Sequence, residues 1–172
     1  MLPVASLREK TILQVPAAFL TLFLMWLLPL LVHLFPLAGP APVGARLLPI
    51  FYAPLLAAWL FHPAVGLLAS LLMPFINHAF TGMPTLPMTI LLSLELVVFS
   101  FGLLLNRKYW PKLPLAPLAF AAGKVISAIL LVFVAILPAS PWAYLLSSLQ
   151  NGLPGLLILL VLHLALLRLP RE

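Results

Sequence analysis

Long runs of apolar residues make up most of this chain, and proline, glycine and charged residues interrupt them at intervals. Dividing the chain at those interruptions predicts six apolar helices. The predicted spans cover residues 12–35, 47–61, 64–80, 87–105, 115–137 and 153–169. Because a helix needs about 20 apolar residues to cross a bilayer core, this pattern is typical of a multi-pass membrane protein.

Two alternatives concern the first three runs. Only His62 and Pro63 separate the second run from the third, so the two could form one long broken helix. About 34 residues of helix would reach about 51 Å, well beyond a bilayer core of about 30 Å, which favours two helices. Arg8 and Lys10 precede the first run, as in a signal peptide. That run is about 24 residues long, which exceeds the apolar part of a signal peptide.

The composition excludes a water-soluble domain. Of 172 residues, 65% are apolar and 7% are charged, whereas a soluble domain carries about 25% charged residues. Cysteine is absent, which excludes disulfides and thiolate chemistry. We expect a single transmembrane domain, residues 1–172, with short loops and no room for an ATPase.

The charged residues predict an orientation. The predicted spans put seven of the nine cations on one side of the membrane and Arg46 on the other. By the positive-inside rule both termini are cytoplasmic, and the cations orient the protein instead of binding nucleic acid. The seven are Arg8, Lys10, Arg107, Lys108, Lys112, Arg168 and Arg171.

Two opposite charges fall within the predicted spans. Glu95 lies about 12 Å into the fourth span from the outer side, and Lys124 lies about 15 Å into the fifth from the inner side. Charges inside a bilayer are costly and usually face a partner or a cavity. We predict that the two side chains face the bundle interior and interact. Whether they only stabilise the bundle or also face a substrate stays open at this point.

Further polar residues collect on the predicted outer side, in the loop at residues 81–84 and around it. The loop is either a cap over a pocket or a plain tight connection, and Arg46 is either a ligand donor or an interface anchor. Convergence at one face favours a pocket that opens outward. The predicted site consists of Arg46, Asn77, His78, Thr81, Gly82, Met83, Pro84, Glu95, Lys124, Gln150 and Asn151.

Aromatic residues near this site have two interpretations: they could stack on a planar ligand, or they could anchor the chain at the membrane interface. They are Phe51, Tyr52, Phe80, Trp142 and Tyr144.

No catalytic or cofactor motif is present. The chain has no phosphate-binding glycine loop, no zinc-protease motif and no nucleophile elbow, and it contains only three carboxylates. Its four histidines lack the spacing of metal ligands. We therefore expect neither an enzyme, nor a metal site, nor a cofactor.

The middle of the chain resembles a family of vitamin-binding membrane proteins, the S components of energy-coupling factor (ECF) transporters. The similarity covers residues 44–105, and the Thr-Gly-Met-Pro run at 81–84 is its most specific part. The other segments are GARLLPI at 44–50, GLLASLLMP at 66–74, LEL at 94–96 and FGLL at 101–104.

This resemblance implies a six-helix bundle in a prokaryotic cell membrane that captures a vitamin or similar micronutrient from outside. Family members usually dock onto a transmembrane coupling subunit and two ATPase subunits, often through an Ala-x-x-x-Ala pattern in span one. Here only Ala17 and Thr21 have that spacing, so a solitary S component is the second possibility. The competing interpretation is a scaffold of the cell-wall machinery, because MreD-type rod-shape proteins are similar in length and span number.

Overall fold

Helices form almost all of the ordered backbone in the computed structural model, which describes residues 4–33, 42–134 and 137–169. No strand occurs in these ranges. The helices are α1 (Val4–His33), α2 (Val43–Leu47), α3 (Tyr52–Leu60), α4 (Pro63–Thr81), α5 (Leu86–Tyr109), α6 (Ala116–Phe133), α7 (Pro141–Asn151) and α8 (Leu153–Leu167).

Four helices, α1, α4, α5 and α6, are long and apolar enough to cross a membrane. The pair α7 and α8 reaches that length only together, with a bend of 58° between them, and would count as a fifth span. The apolar helical stretch Pro49–Leu60 is shorter than the four. The protein is thus all-helical with the character of a membrane protein. The predicted residues 34–35, 135–136 and Arg171 lie outside the described ranges.

The second and third predicted spans are two separate helices, which confirms the choice of a break between residues 61 and 64. His62 has an extended backbone, and its Nδ1 accepts a hydrogen bond from the Ala64 backbone nitrogen at 3.2 Å. Pro63 then starts α4, as suits a residue with no N–H to donate. The second span is itself interrupted, because Leu48 adopts a left-handed conformation (φ 55°) between α2 and a 3-10 turn at Pro49–Phe51.

The predicted spans do not include helix α7, because residues 138–152 fall between the fifth and the sixth. Pro141 starts this helix, and the Ser140 hydroxyl caps it by accepting a hydrogen bond from the Ala143 backbone nitrogen at 3.2 Å. Gly152 alone separates α7 from α8. The sixth predicted span is therefore the second half of a broken helix.

Small residues bring α5 and α6 close together. A methyl group added at Gly123 would lie 3.0 Å from the Glu95 carbonyl oxygen, and one added at Gly102 would lie 2.9 Å from Cβ of Ala119. Small residues permit this close backbone approach without a large apolar driving force. The packing places the middle of α6 directly beside Glu95.

Polar side chains satisfy backbone groups at the end of the bundle where α5 meets α6. Arg107 donates to the Ala58 carbonyl at the end of α3. Asn106 donates to two carbonyls of the loop that follows α5. His163 of α8 accepts from the Ala116 backbone nitrogen at 3.0 Å. These bonds satisfy helix-terminal groups that lack partners within their own helices.

Candidate functional site

A cavity of about 520 Å³ opens at the other end of the bundle, between the end of α1, residues 42–51, α4, α5 and the loop that joins them, α6 and α7. Most of its wall is apolar and includes Leu48, Pro49, Ile50, Phe51, Met83, Met88 and Leu92. Its polar lining residues are Asn77, Glu95, Lys124, Tyr144, Ser147, Ser148 and Asn151. Such a wall, apolar with a few placed polar groups, is typical of small-molecule sites.

Three of these side chains form a hydrogen-bonded group, here called the polar triad: Glu95, Lys124 and Tyr144. Lys124 Nζ lies 2.6 Å from Glu95 Oε2, so the predicted interaction between the two buried charges is confirmed. The Tyr144 hydroxyl donates to the other oxygen, Glu95 Oε1, and lies 3.4 Å from Lys124 Nζ. The side chains of Glu95 and Lys124 are only 2% and 12% exposed.

Local sequence explains how Lys124 reaches this position. Its neighbour Gly123 packs against the Glu95 backbone, which leaves no side chain between the two helices at that level. The Lys124 ammonium then lies 5.5 Å from the Phe120 ring centre and 5.3 Å from that of Tyr144. Aromatic faces attract cations, so both rings add to the stabilisation that the carboxylate provides.

The predicted loop at residues 81–84 borders the cavity and is anchored at both sides. Gly82 ends α4 with φ 70°, a conformation that glycine adopts without steric cost. Thr81 Oγ1 accepts from the Met83 backbone nitrogen at 3.1 Å. His78 Nδ1 donates to the Pro84 carbonyl at 2.7 Å. The loop is an ordered part of the rim, and His78 holds it in place.

Of the eleven residues in the predicted site, six line the cavity: Asn77, Met83, Pro84, Glu95, Lys124 and Asn151. The other five, Arg46, His78, Thr81, Gly82 and Gln150, are not among the lining residues. Arg46 is half-buried in α2, and Gln150 is exposed on α7. Substrate binding by any of the eleven stays a prediction.

Helix α7 supplies three lining residues outside the predicted site, Tyr144, Ser147 and Ser148, beside the predicted Asn151. Tyr144, Ser147, Ser148 and Asn151 all line the cavity. Their spacing of three, one and three residues places them on one face of a helix. The sequence predicts this polar stripe only if residues 141–151 are assigned to a helix.

A close backbone contact positions the apolar wall at residues 42–51. A methyl group at Gly155 of α8 would lie 2.6 Å from Cγ of Leu48 and 2.8 Å from the carbonyl carbon and oxygen of Leu47. The Tyr52 hydroxyl also donates to the Leu47 carbonyl. The interrupted second span is thus held against the start of α8.

The two charged side chains in the cavity wall, Glu95 and Lys124, pair with each other and carry no net charge together. Within the described ranges, no three His, Asp or Glu side chains come together as metal ligands would. Comparisons of the chain with protein-family models, curated proteins and solved structures find no match. A functional assignment therefore depends on the cavity and its side chains.

Proposed function

We propose that this chain is a membrane-embedded substrate-binding subunit that takes up a vitamin or similar micronutrient. It captures the molecule at the outer face and delivers it inward, either with an ECF coupling module or alone. The observation that carries the proposal is the cavity of about 520 Å³ with the polar triad in its wall. Ligand pockets in proteins range from about 300 to 1,000 Å³, so this volume suits a vitamin-sized molecule.

The proposal includes an orientation with six passes. The stretch Pro49–Leu60 makes the second pass, and α7 with α8 makes the sixth. Arg107, Lys108 and Lys112 lie at the end of the bundle opposite the cavity, which the positive-inside rule makes cytoplasmic. The cavity then faces outward, as uptake requires.

A topology experiment checks this orientation. A reporter active only in the cytoplasm, fused after residue 172, is expected to be active, and the same reporter in the loop at 81–84 is expected to be inactive. An active reporter at the loop, or an inactive one at the C-terminus, would place the cavity on the wrong side for uptake.

The pair Ala17 and Thr21 supports a solitary mode over docking through span one. Both residues are buried, with 5% and 2% exposure. Ala17 packs with Ala57 of α3 and Val65 of α4, and Thr21 donates to the Ala17 carbonyl at 2.7 Å. A partner subunit cannot reach small residues that the chain's own helices cover.

Co-purification tests the proposal directly. The protein, extracted in mild detergent, is expected to carry a micronutrient that mass spectrometry identifies after denaturation. Ser148→Phe places a ring in the cavity and is expected to abolish the bound molecule. Leu146→Phe, on the exposed face of the same helix, is the matched control and is expected to retain it.

Two results would contradict the proposal. One is a parent protein without any bound small molecule that instead co-purifies with cell-wall synthesis proteins, which would favour the scaffold. The other is a bound molecule that Ser148→Phe and Leu146→Phe retain equally, which would place its site elsewhere.

A further inference from the structure

We infer that the cavity selects an uncharged ligand with an apolar body and a hydrogen-bond acceptor at its polar end, and discriminates against the carboxylate counterpart. The inference rests on the proposed function, because it names the class of substrate for the same site. It follows from the hydrogen-bond capacity and the charge balance of the polar triad.

Hydrogen bonding determines which kind of group the triad can receive. Glu95 has one oxygen bonded to Lys124 and the other to Tyr144, and its side chain is 2% exposed. Each oxygen therefore already accepts one hydrogen bond, and burial leaves little of the carboxylate open to a ligand donor. The Lys124 ammonium has three hydrogens; one goes to Glu95, and a second lies near the Tyr144 hydroxyl. The third is available to an acceptor in the cavity.

Charge balance determines whether that acceptor is neutral or anionic. Glu95 and Lys124 are the only charged side chains among the described lining residues, and together they are neutral. A ligand carboxylate would draw Lys124 away and leave Glu95 as an uncompensated buried charge. A carbonyl or amide oxygen can accept the third hydrogen while the ion pair stays intact.

The other charged residues of the described ranges are not among the lining residues. Arg46 is not a lining residue. Arg8, Glu9 and Lys10 lie about 30 Å along α1 from Pro29, which borders the cavity. Since the lining pair is neutral and the rest of the wall is mostly apolar, a net charge on the ligand would be buried without a lining counter-charge of its own.

The other polar lining residues fit an uncharged ligand. Asn77 and Asn151 offer amides, and Ser147 and Ser148 offer hydroxyls. These groups both donate and accept hydrogen bonds, so they bind neutral polar substituents without leaving a charge unpaired.

A pair of probes with the same ring system tests the charge preference. We would measure equilibrium binding of 1-naphthamide and 1-naphthoate to the full-length protein in detergent, at fixed ionic strength and neutral pH. The parent is expected to bind the amide at least about tenfold more tightly than the carboxylate. Protection against thermal unfolding gives a second readout, since a ligand that binds only the folded state stabilises it.

If the inference is right, Glu95→Gln reverses the preference for the amide over the carboxylate. The substitution leaves the Lys124 cation without its counter-ion, so 1-naphthoate is expected to become the tighter probe. Glu9→Gln makes the same chemical change on α1, far from the cavity, and is expected to keep the parent's preference. The parent's own preference decides the question if the Glu95 variant does not fold.

The outcomes separate the inference from the proposed function. If the parent binds 1-naphthoate as tightly as the amide or more tightly, the inference is wrong while a binding function survives. If Glu95→Gln folds and keeps the amide preference, the ion pair does not control selectivity, and the inference is again wrong. If neither probe binds the parent, the inference is wrong, and the co-purification experiment decides separately whether the proposed function stands.

Discussion

Two consecutive helix pairs, α5–α6 and α7–α8, border the cavity through α5, α6 and α7, and they are built in different ways. Helix α5 has 24 residues without a break, nine of them buried, and Gly123 of α6 packs directly on its backbone. Helix α7 has 11 residues, of which only Tyr144 is buried, and a bend of 58° separates it from α8. Beside the cavity, α5 and α6 form a closely packed unit, whereas α7 forms a wall with a single buried side chain.

The distribution of charge follows this difference. The closely packed pair carries both buried charges, Glu95 and Lys124, while α7 contributes neutral hydroxyl and amide groups. A buried ion pair stabilises only where its geometry is held accurately, because desolvation of the two charges is expensive. Neutral groups tolerate small displacements at lower cost. The cavity thus has its charged groups on the closely packed helices α5 and α6 and only neutral polar groups on the short helix α7.

The largest effect is expected from breaking the ion pair in α5–α6. Lys124→Met leaves Glu95 unpaired, and Glu95→Gln leaves Lys124 unpaired, so each is expected to destabilise the fold by about 3–5 kcal/mol. The double variant is expected to lose less than the sum of the two. Reversible unfolding in mixed detergent micelles measures all four proteins of this double-mutant cycle.

Lys108→Met is the matched control, since this lysine is exposed at the far end of α5. It is expected to change the free energy of unfolding by less than about 0.5 kcal/mol. Strictly additive effects of the Glu95 and Lys124 substitutions would mean that the ion pair contributes nothing to the stability of this helix pair.

A smaller effect is expected from the glycine contact that attaches α8. In Gly155→Ala the new methyl group meets the Leu47 backbone at 2.8 Å, and backbone cannot move aside as a flexible side chain does. Overpacking of this kind costs about 1–3 kcal/mol. Because the contact positions residues 42–51, ligand affinity is expected to fall as well.

Ala165→Val is the control for Gly155→Ala, because it enlarges an exposed small residue on the same helix. It is expected to leave both stability and ligand affinity close to those of the parent. If Gly155→Ala behaves like this control, the contact between α8 and Leu47 does not hold the apolar wall.

The sequence predicts the packed pair far better than the broken one. Glu95 and Lys124 stand out because ionisable residues are rare inside apolar runs and these two fall at the same depth. Leu48 gives no comparable signal, since its left-handed conformation arises beside a contact with Gly155, distant in the chain. Helix α7 is short, and Pro141 and Gly152 at its two ends are residues typical of loops. The sequence around it therefore predicts a loop.

Side-chain roles at the rim were also hard to predict. His78 is part of the predicted site, and the structure adds a hydrogen bond from its Nδ1 to the Pro84 carbonyl that the sequence does not predict. That partner depends on how the loop folds back over α4, which a residue pattern does not encode. Tyr144 allowed two interpretations, stacking or anchoring at the interface, and its contact with Glu95 depends on the unpredicted helix α7.

The smallest change in stability is expected from Tyr144→Phe, together with a change in the position of α7. The substitution removes the hydroxyl that joins α7 to Glu95 and keeps the ring. Lys124 still pairs with Glu95, so the loss is expected to be about 1 kcal/mol, the usual net value of one hydrogen bond. With its one buried residue no longer bonded to the triad, α7 is expected to move more widely relative to α4.

Spin labels can measure this movement cleanly, because the chain contains no cysteine. Labels at Leu146→Cys on α7 and Leu72→Cys on α4, both exposed positions, report the distance between the wall and the bundle. Tyr144→Phe is expected to broaden that distance distribution, whereas labels at Ile90→Cys and Ile126→Cys, on α5 and α6, are expected to report an unchanged one. Tyr109→Phe, at an exposed tyrosine, should leave both distributions as in the parent.

Equal distributions in the parent and in Tyr144→Phe would show that α7 is held as firmly as α5 and α6. The contrast between the closely packed pair and α7 would then be wrong.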